Sequence, residues 1–169
     1  AEPMNHEEIV KSEGINALMC LLKTEDIESG RYAAFALSNL AANANHRQQI
    51  VDEGGAAALV ALACCEDLNA QRQAMSALRG LCITPHYRPL VVQEGVLDPI
   101  VLMARTDEIE VLREVSAALN CLSSVEENKM EICDRSISTI IAMLLSGDVE
   151  TERHACCSVA NLVELAELH

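Results

Sequence analysis

Arg31-Tyr-Ala-Ala-Phe-Ala-Leu-Ser-Asn-Leu40 decides how this chain is read. Ala33, Ala36, Leu37 and Leu40 fall at spacings of three and four, which on a helix makes one narrow seam of small residues and leucines. The seam returns as Ala74, Ala77, Leu78 and Leu81, as Val115, Ala118, Leu119 and Leu122, and as Ala155, Ser158, Val159 and Leu162. An arginine stands nine positions before the last leucine of each copy: Arg31, Arg72, Arg113 and Arg153. A seam so lean cannot bury a core alone. Four equivalents about forty residues apart therefore predict one helical unit stacked on itself, an all-α solenoid.

Upstream of each long helix lies a polar break, and Asp26, Asp67 and Asp148 can cap the helix that follows while Glu108 complements its positive end. Ile27, Leu68, Ile109 and Val149 are expected to begin the long helices. A second helix precedes each break, with Leu18, Leu59, Ile100 and Ile141 and with Leu21, Leu62, Met103 and Leu144 as its buried face. Before that comes a short helix: Glu7 to Ser12 closed by Gly14, Arg47 to Asp52 before Gly54 and Gly55, and Pro89 to Gln93 before Gly95. The fourth copy runs from Asn128 to Asp134, where Ser136 replaces the glycine that would supply a left-handed turn. The last register runs at 40 rather than 41, which the shorter fourth loop accounts for. Pro85 discourages helix at Thr84 and ends the second copy. These breaks divide a single domain, 1–169, into four repeats at about 6–45, 46–86, 87–126 and 127–169.

Half of the 169 residues are hydrophobic, but with one Phe, two Tyr and no Trp the core must be built of alanine and aliphatics. Acidic residues outnumber basic ones 26 to 12, for a net charge of -14, which argues against nucleic-acid backbones and anionic membranes. The balance favours basic partners mildly, or serves solubility alone. Most of the eight cysteines sit inside apolar helical patterns, where free thiols act as small hydrophobes, so a reducing compartment, cytosol or nucleus, is expected. No apolar run is long enough to span a membrane, and no charged-then-apolar leader opens the chain. With Ala1 in place of an initiator methionine, the expectation is of a fragment of a longer protein.

A short helix, a glycine turn, a second helix, a charged cap and a long helix together resemble the armadillo repeat, whose period is about 40 to 47 residues. The strings Ile50-Val-Asp-Glu-Gly-Gly-Ala-Ala-Ala-Leu-Val60 and Ala36-Leu-Ser-Asn-Leu-Ala-Ala42 carry the resemblance, which extends over nearly the whole chain. Within that family the wording is most similar to the vacuole-type scaffolds and the armadillo-repeats-only proteins. HEAT repeats, usually two helices without the glycine turn, are the nearest structural rival. The resemblance implies a right-handed superhelix of three-helix repeats whose third helices line a concave groove for a partner's extended or helical segment. It also implies a ladder in which an Asn clamps the ligand backbone and a Trp one turn away forms side-chain pockets. Here the Asn position holds Asn39, Gly80, Cys121 and Asn161, and the Trp position holds Phe35, Ser76, Ala117 and Cys157. Half the amides and every Trp are missing, which weakens the expectation that basic peptides are recognised.

The predicted groove comprises Arg31, Phe35, Asn39, Arg72, Ser76, Arg113, Arg153 and Asn161. Its arginines either form a basic stripe for acidic side chains or a C-terminal carboxylate, or pair with carboxylates such as Glu28, Glu110 and Glu150 three residues earlier. Asn39 and Asn161 either clamp a backbone or are solvated, and Phe35 is either a groove platform or core. His154-Ala-Cys-Cys157 lacks the further ligands a zinc ion needs, and its thiols lack a polarised site, so no metal, cofactor or catalytic residue is expected. Cys64-Cys65 and Cys156-Cys157 have no basic or amphipathic surroundings that would mark them as lipidation sites. Val163 and Leu165 end the last helix with no following repeat in this sequence, so self-association through end repeats is the second expectation. The leading expectation is a non-enzymatic, cytoplasmic scaffold that binds a protein or peptide segment, not nucleic acid, and does not insert into membranes. A spacer or assembly module is the alternative in function. In location, the alternatives are the nucleus or a membrane periphery reached through a lipidated N-terminus absent from this sequence.

Overall fold

Each long helix begins where a polar side chain or a polar break can serve its first turn. The computed structural model describes residues 13–163, and every regular element among them is helical. The helices are α1 (Gly14–Leu22), α2 (Ile27–Leu40), α3 (Ala44–Asp52), α4 (Gly55–Ala63), α5 (Leu68–Leu81), α6 (Arg88–Gln93), α7 (Leu97–Met103), α8 (Ile109–Ser123), α9 (Glu126–Met143) and α10 (Val149–Val163). A 3-10 turn, Pro85–Tyr87, precedes α6. Asp26 accepts from the Glu28 amide at 3.2 Å, Asp67 from Ala70 at 2.7 Å, and Asp148 from Thr151 at 3.0 Å, so these three carboxylates cap α2, α5 and α10. Glu108 makes no side-chain cap bond to α8. The predicted short helix from Glu7 to Ser12, and Leu165, lie outside the described residues.

Two compact units divide the chain between Leu81 and Cys82. In the first, α2 packs on α5, with α1 and α4 against them. Ala33, Leu37, Leu40, Ala74, Ala77, Leu78 and Leu81 are buried there, and Ile15, Met19, Ile50 and Leu59 complete the core. Small residues set the approach: a Cβ on Gly80 would lie 3.1 Å from that of Ala41. In the second unit α8 packs on α10, and α9 lies against α6, α7, α8 and α10. Its core gathers Val115, Ala118, Leu119, Leu122, Ala155 and Leu162 with Leu97, Ile100, Ile132 and Ile140.

The long helices also end in a recurrent way that the sequence reading missed. Arg47 donates to the Ala41 carbonyl at 2.6 Å, Arg88 to Cys82 at 2.8 Å and Asn128 to Leu122 at 3.0 Å, in each case from six residues downstream. Carbonyls at a helix C-terminus have no partner within the helix, and these side chains supply one. The device explains why Arg47 and Asn128 are buried.

Four expectations are corrected. Before α1 the left-handed residue is Glu13, at φ 57°, with Gly14 already helical, whereas Gly54 and Gly95 adopt the expected left-handed turn at φ 78° and 91°. In the fourth repeat there is no turn: α9 runs unbroken through Ser136, because without a glycine nothing favours leaving the helix. The second-helix register also differs at both ends. Leu18 is half-buried and Leu21 is 40% exposed, while Met19 and Leu22 are buried; Ile141 is 52% exposed and Leu144 half-buried, while Ile140 and Met143 are buried. Leu59, Leu62, Ile100 and Met103 are buried as expected. Val60 and Ala63, one residue on from Leu59 and Leu62, are buried too, so α4 fits either register and hides the offset that α1 reveals. From Ile100 to Ile140 the spacing is already 40, so the missing residue belongs to the turnless stretch of α9 and not to the loop after it.

Gly55 offers a direct test of this packing. A Cβ there would sit 2.6 Å from the Ile50 carbonyl oxygen and against its Cγ2, whereas one on Gly54 would meet nothing within 4 Å. Gly55→Ala is therefore expected to cost about 1–3 kcal/mol by overpacking, and Gly54→Ala only the left-handed penalty of about 1 kcal/mol. Urea denaturation of the two variants beside the wild type checks the order.

Candidate functional site

Residues at spacings of three and four along α2 and α5 converge on one face of the first unit. Arg31, Tyr32 and Phe35 from α2 and Asn69, Arg72 and Gln73 from α5 line an open cleft of about 290 Å³. Tyr32 is 60% exposed and Phe35 52%, so the two largest aromatic surfaces of this unit face solvent and not the core. A second cleft of about 310 Å³ is lined by Ile27, Glu28, Arg31 and Asp67, and Arg31 belongs to both. The Arg31 guanidinium reaches Glu28 at 3.2 Å and stands 4.8 Å over the Tyr32 ring, where its charge is met by a carboxylate and a π-face. Arg72 has neither a hydrogen bond nor an ion pair among the described residues.

That difference has a local cause. Glu28, Glu110 and Glu150 lie three residues before their arginines, but Asn69 stands in that position before Arg72. An amide carries no charge to neutralise the guanidinium.

On the equivalent face of the second unit the first arginine is engaged. Arg113 spans from α8 to the cap of α10, donating to the two Asp148 oxygens at 2.7 and 3.1 Å, with Glu110 at 3.4 Å and Glu150 at 3.5 Å. Glu150 is thus drawn to Arg113, and Arg153 is exposed with no hydrogen bond or ion pair among the described residues. The Arg113 hydrogen bonds hold the Asp148 carboxyl well below the usual carboxylate range, and the Thr151 amide and hydroxyl add to the effect. The Ser116 hydroxyl lies 3.3 Å from His154 Nδ1 and donates to the Arg113 carbonyl at 3.0 Å; it is fully buried, so the contact is packing.

Of the predicted groove residues, Arg31, Phe35 and Arg72 share the first cleft. Asn39 lies exposed at the end of α2, one turn beyond Phe35, and Ser76 is half-buried with its Oγ 3.4 Å from that of Ser38. Arg113, Arg153 and Asn161 belong to the second unit. Asn161 donates to Ser123 Oγ at 3.0 Å and to the Asn120 carbonyl at 3.4 Å, so its amide hydrogens are engaged in tying α10 to α8. Tyr32, Asn69 and Gln73 escaped the sequence reading, although the loss of the acid at position 69 was visible. All eight cysteines are free, and Cys121 donates to the Cys82 carbonyl at 3.3 Å. Contact with Cys121 and burial push the Cys82 thiol well up. Among the described residues no group of three or more His, Cys, Asp or Glu is placed to hold a metal, and no helix is long and apolar enough to cross a membrane.

No family model matches the sequence, and no curated protein matches it. Solved structures do match. The crystal structure of an engineered protein aligns with a TM-score of 0.88 over 96% of this chain and 69% of its own length, at 22% identity. A designed armadillo repeat protein in complex with the peptide (KR)4 aligns at 0.85 over 93% of this chain and 67% of its own, at 18% identity. A computationally designed armadillo repeat protein for modular peptide recognition aligns at 0.85 over 92% and 67%, at 20% identity. The fold is that of an armadillo-repeat solenoid, and this chain spans about two thirds of the length of these designed proteins.

The Asp148 pair makes a pH prediction. Its pKa is lower in the folded than in the unfolded chain, so its stabilisation is complete above the unfolded pKa of about 4 and is lost as pH falls from there toward the lowered folded value. Asp148→Asn is expected to be less stable than wild type at pH 7, with the difference shrinking below about pH 4. Urea unfolding midpoints between pH 7 and pH 2 check it.

Proposed function

We propose that this chain is a non-enzymatic binding scaffold that holds an extended segment of another protein across α2 and α5. The observation that carries this reading is the open cleft of the first unit, where two exposed aromatic rings, two amides and an arginine without a partner among the described residues meet. Helix faces that only pack or only solvate do not combine exposed aromatics with convergent polar donors. Designed proteins of the same fold, described as peptide binders, lend it support. Arg113 and the Asn161 amide hydrogens are engaged within the second unit, so the proposed binding rests on Arg31, Phe35 and Arg72, with Tyr32, Asn69 and Gln73 added. Eight free thiols fit a reducing, cytoplasmic setting.

An array of random dodecapeptides tests the reading. Wild type should retain a subset, and Phe35→Ala and Arg72→Glu should each weaken those peptides about tenfold without changing the helical spectrum. Arg113→Glu should lower the melting temperature and leave the peptide ranking unchanged. A retained subset indifferent to Phe35 and Arg72 would remove the cleft from the function.

A second reading, assembly through an end face, is favoured by α9. Ile137 and Ile141, four residues apart on α9, are exposed, and Leu145, just past its end, is 83% exposed, while Ile140 and Met143 are buried. Sedimentation velocity at several concentrations should show a rising weight-average mass, abolished by Ile141→Glu, if this face binds a second copy.

A further inference from the structure

We infer, resting on the peptide-binding reading, that the segment held in the α2–α5 cleft is acidic at its centre, against the sign of the chain's net charge. The chain carries -14 overall, which in bulk favours cationic partners. At the cleft the local balance is different. Arg31 is matched by Glu28 at 3.2 Å, but Arg72 is not matched, since Asn69 occupies the site of its helical carboxylate. A guanidinium offers five N–H donors in a planar fork, and a carboxylate satisfies two of them at once.

The same geometry limits the anion to one carboxylate. Glu28 and Asp67 line the adjoining cleft that shares Arg31, so a dianionic phosphate, or a run of acidic residues entering that cleft, would meet like charge. The source of the carboxylate is an internal Glu or Asp and not a chain terminus. Asn69 and Gln73 bracket Arg72 on α5, and each amide both donates and accepts, so peptide backbone can be met on either side of the acid. The adjoining cleft continues the path beyond Arg31. Side chains alternate along an extended segment, so the neighbours of the acid turn the other way and a large planar residue next but one returns to the Tyr32 and Phe35 rings.

The test uses acetylated, amidated nonapeptides of alternating Tyr and Ser in which the central residue is Glu, Gln or Lys, with the Gln peptide also made with a free C-terminus. On wild type the Glu peptide should bind about tenfold tighter than the Gln peptide, and the Lys peptide weakest, with the Glu advantage shrinking as salt rises. Asn69→Glu, which restores the helical partner of Arg72 and removes one cleft amide, should erase the Glu preference, so that the Glu peptide no longer binds tighter than the Gln peptide. Arg72→Glu should reverse the order, and Phe35→Ala should weaken all the peptides alike. A wild-type preference for Lys would overturn the acidic assignment and leave the scaffold reading standing. A free C-terminus outperforming central Glu would overturn the internal source. Failure of every peptide to bind at millimolar concentration would sink the cleft itself along with the inference.

Discussion

Close approach between long helices through seams of alanine, glycine and leucine is the constraint on which everything else in this molecule rests. With one Phe and no Trp there is no bulky residue to fill a wide gap, so burial must come from backbones brought near one another. Gly80 shows how near, since the Cβ it lacks would fall 3.1 Å from Ala41. Gly80 stands at one of the positions where the resemblance implied an Asn, and a larger side chain there would crowd the end of α2.

Once the helices are fixed, the exposed face is decided by how each arginine is neutralised. In the second unit Arg113 reaches the cap carboxylate of α10 and gathers Glu110 and Glu150. In the first unit Arg31 stays with Glu28 and Tyr32 on its own helix, and a cleft remains between it and Asp67. The same residue types at the same repeat positions thus give an arginine tied across two helices in one unit and an arginine paired on its own helix beside an open cleft in the other. A single replacement, Asn69 where the other copies have Glu, leaves Arg72 with no helical carboxylate and makes the open face cationic at that point.

Helix ends are managed with equal economy. Aspartates cap three of the long helices at their start, while Arg47, Arg88 and Asn128 close three at their end from the first turn of the next repeat. Within each unit the closing side chain comes from the following repeat, Arg47 after α2 and Asn128 after α8, so finishing one helix positions the next. This ties local capping to the repeat's propagation, as expected of a chain whose elements contact mainly their neighbours.

Sequence alone determined the helical class, the four seams, the starts of the long helices at Ile27, Leu68, Ile109 and Val149, and the glycine turns at Gly54 and Gly95. These follow from spacing, capping chemistry and the conformational freedom of glycine, all of which act within a few residues. It also named Arg31, Phe35 and Arg72, because a repeat displays its equivalent positions by alignment with itself. Tertiary structure decided the rest. Whether Met19 or Leu18 is buried depends on which neighbour the helix meets, and an alanine-rich helix such as α4 satisfies both registers. Which arginine is free depends on distances between helices, since Glu150 lies three residues before Arg153 yet pairs with Arg113. Electrostatic partners are chosen by proximity in space, and proximity across helices is a property that spacing along the chain does not contain.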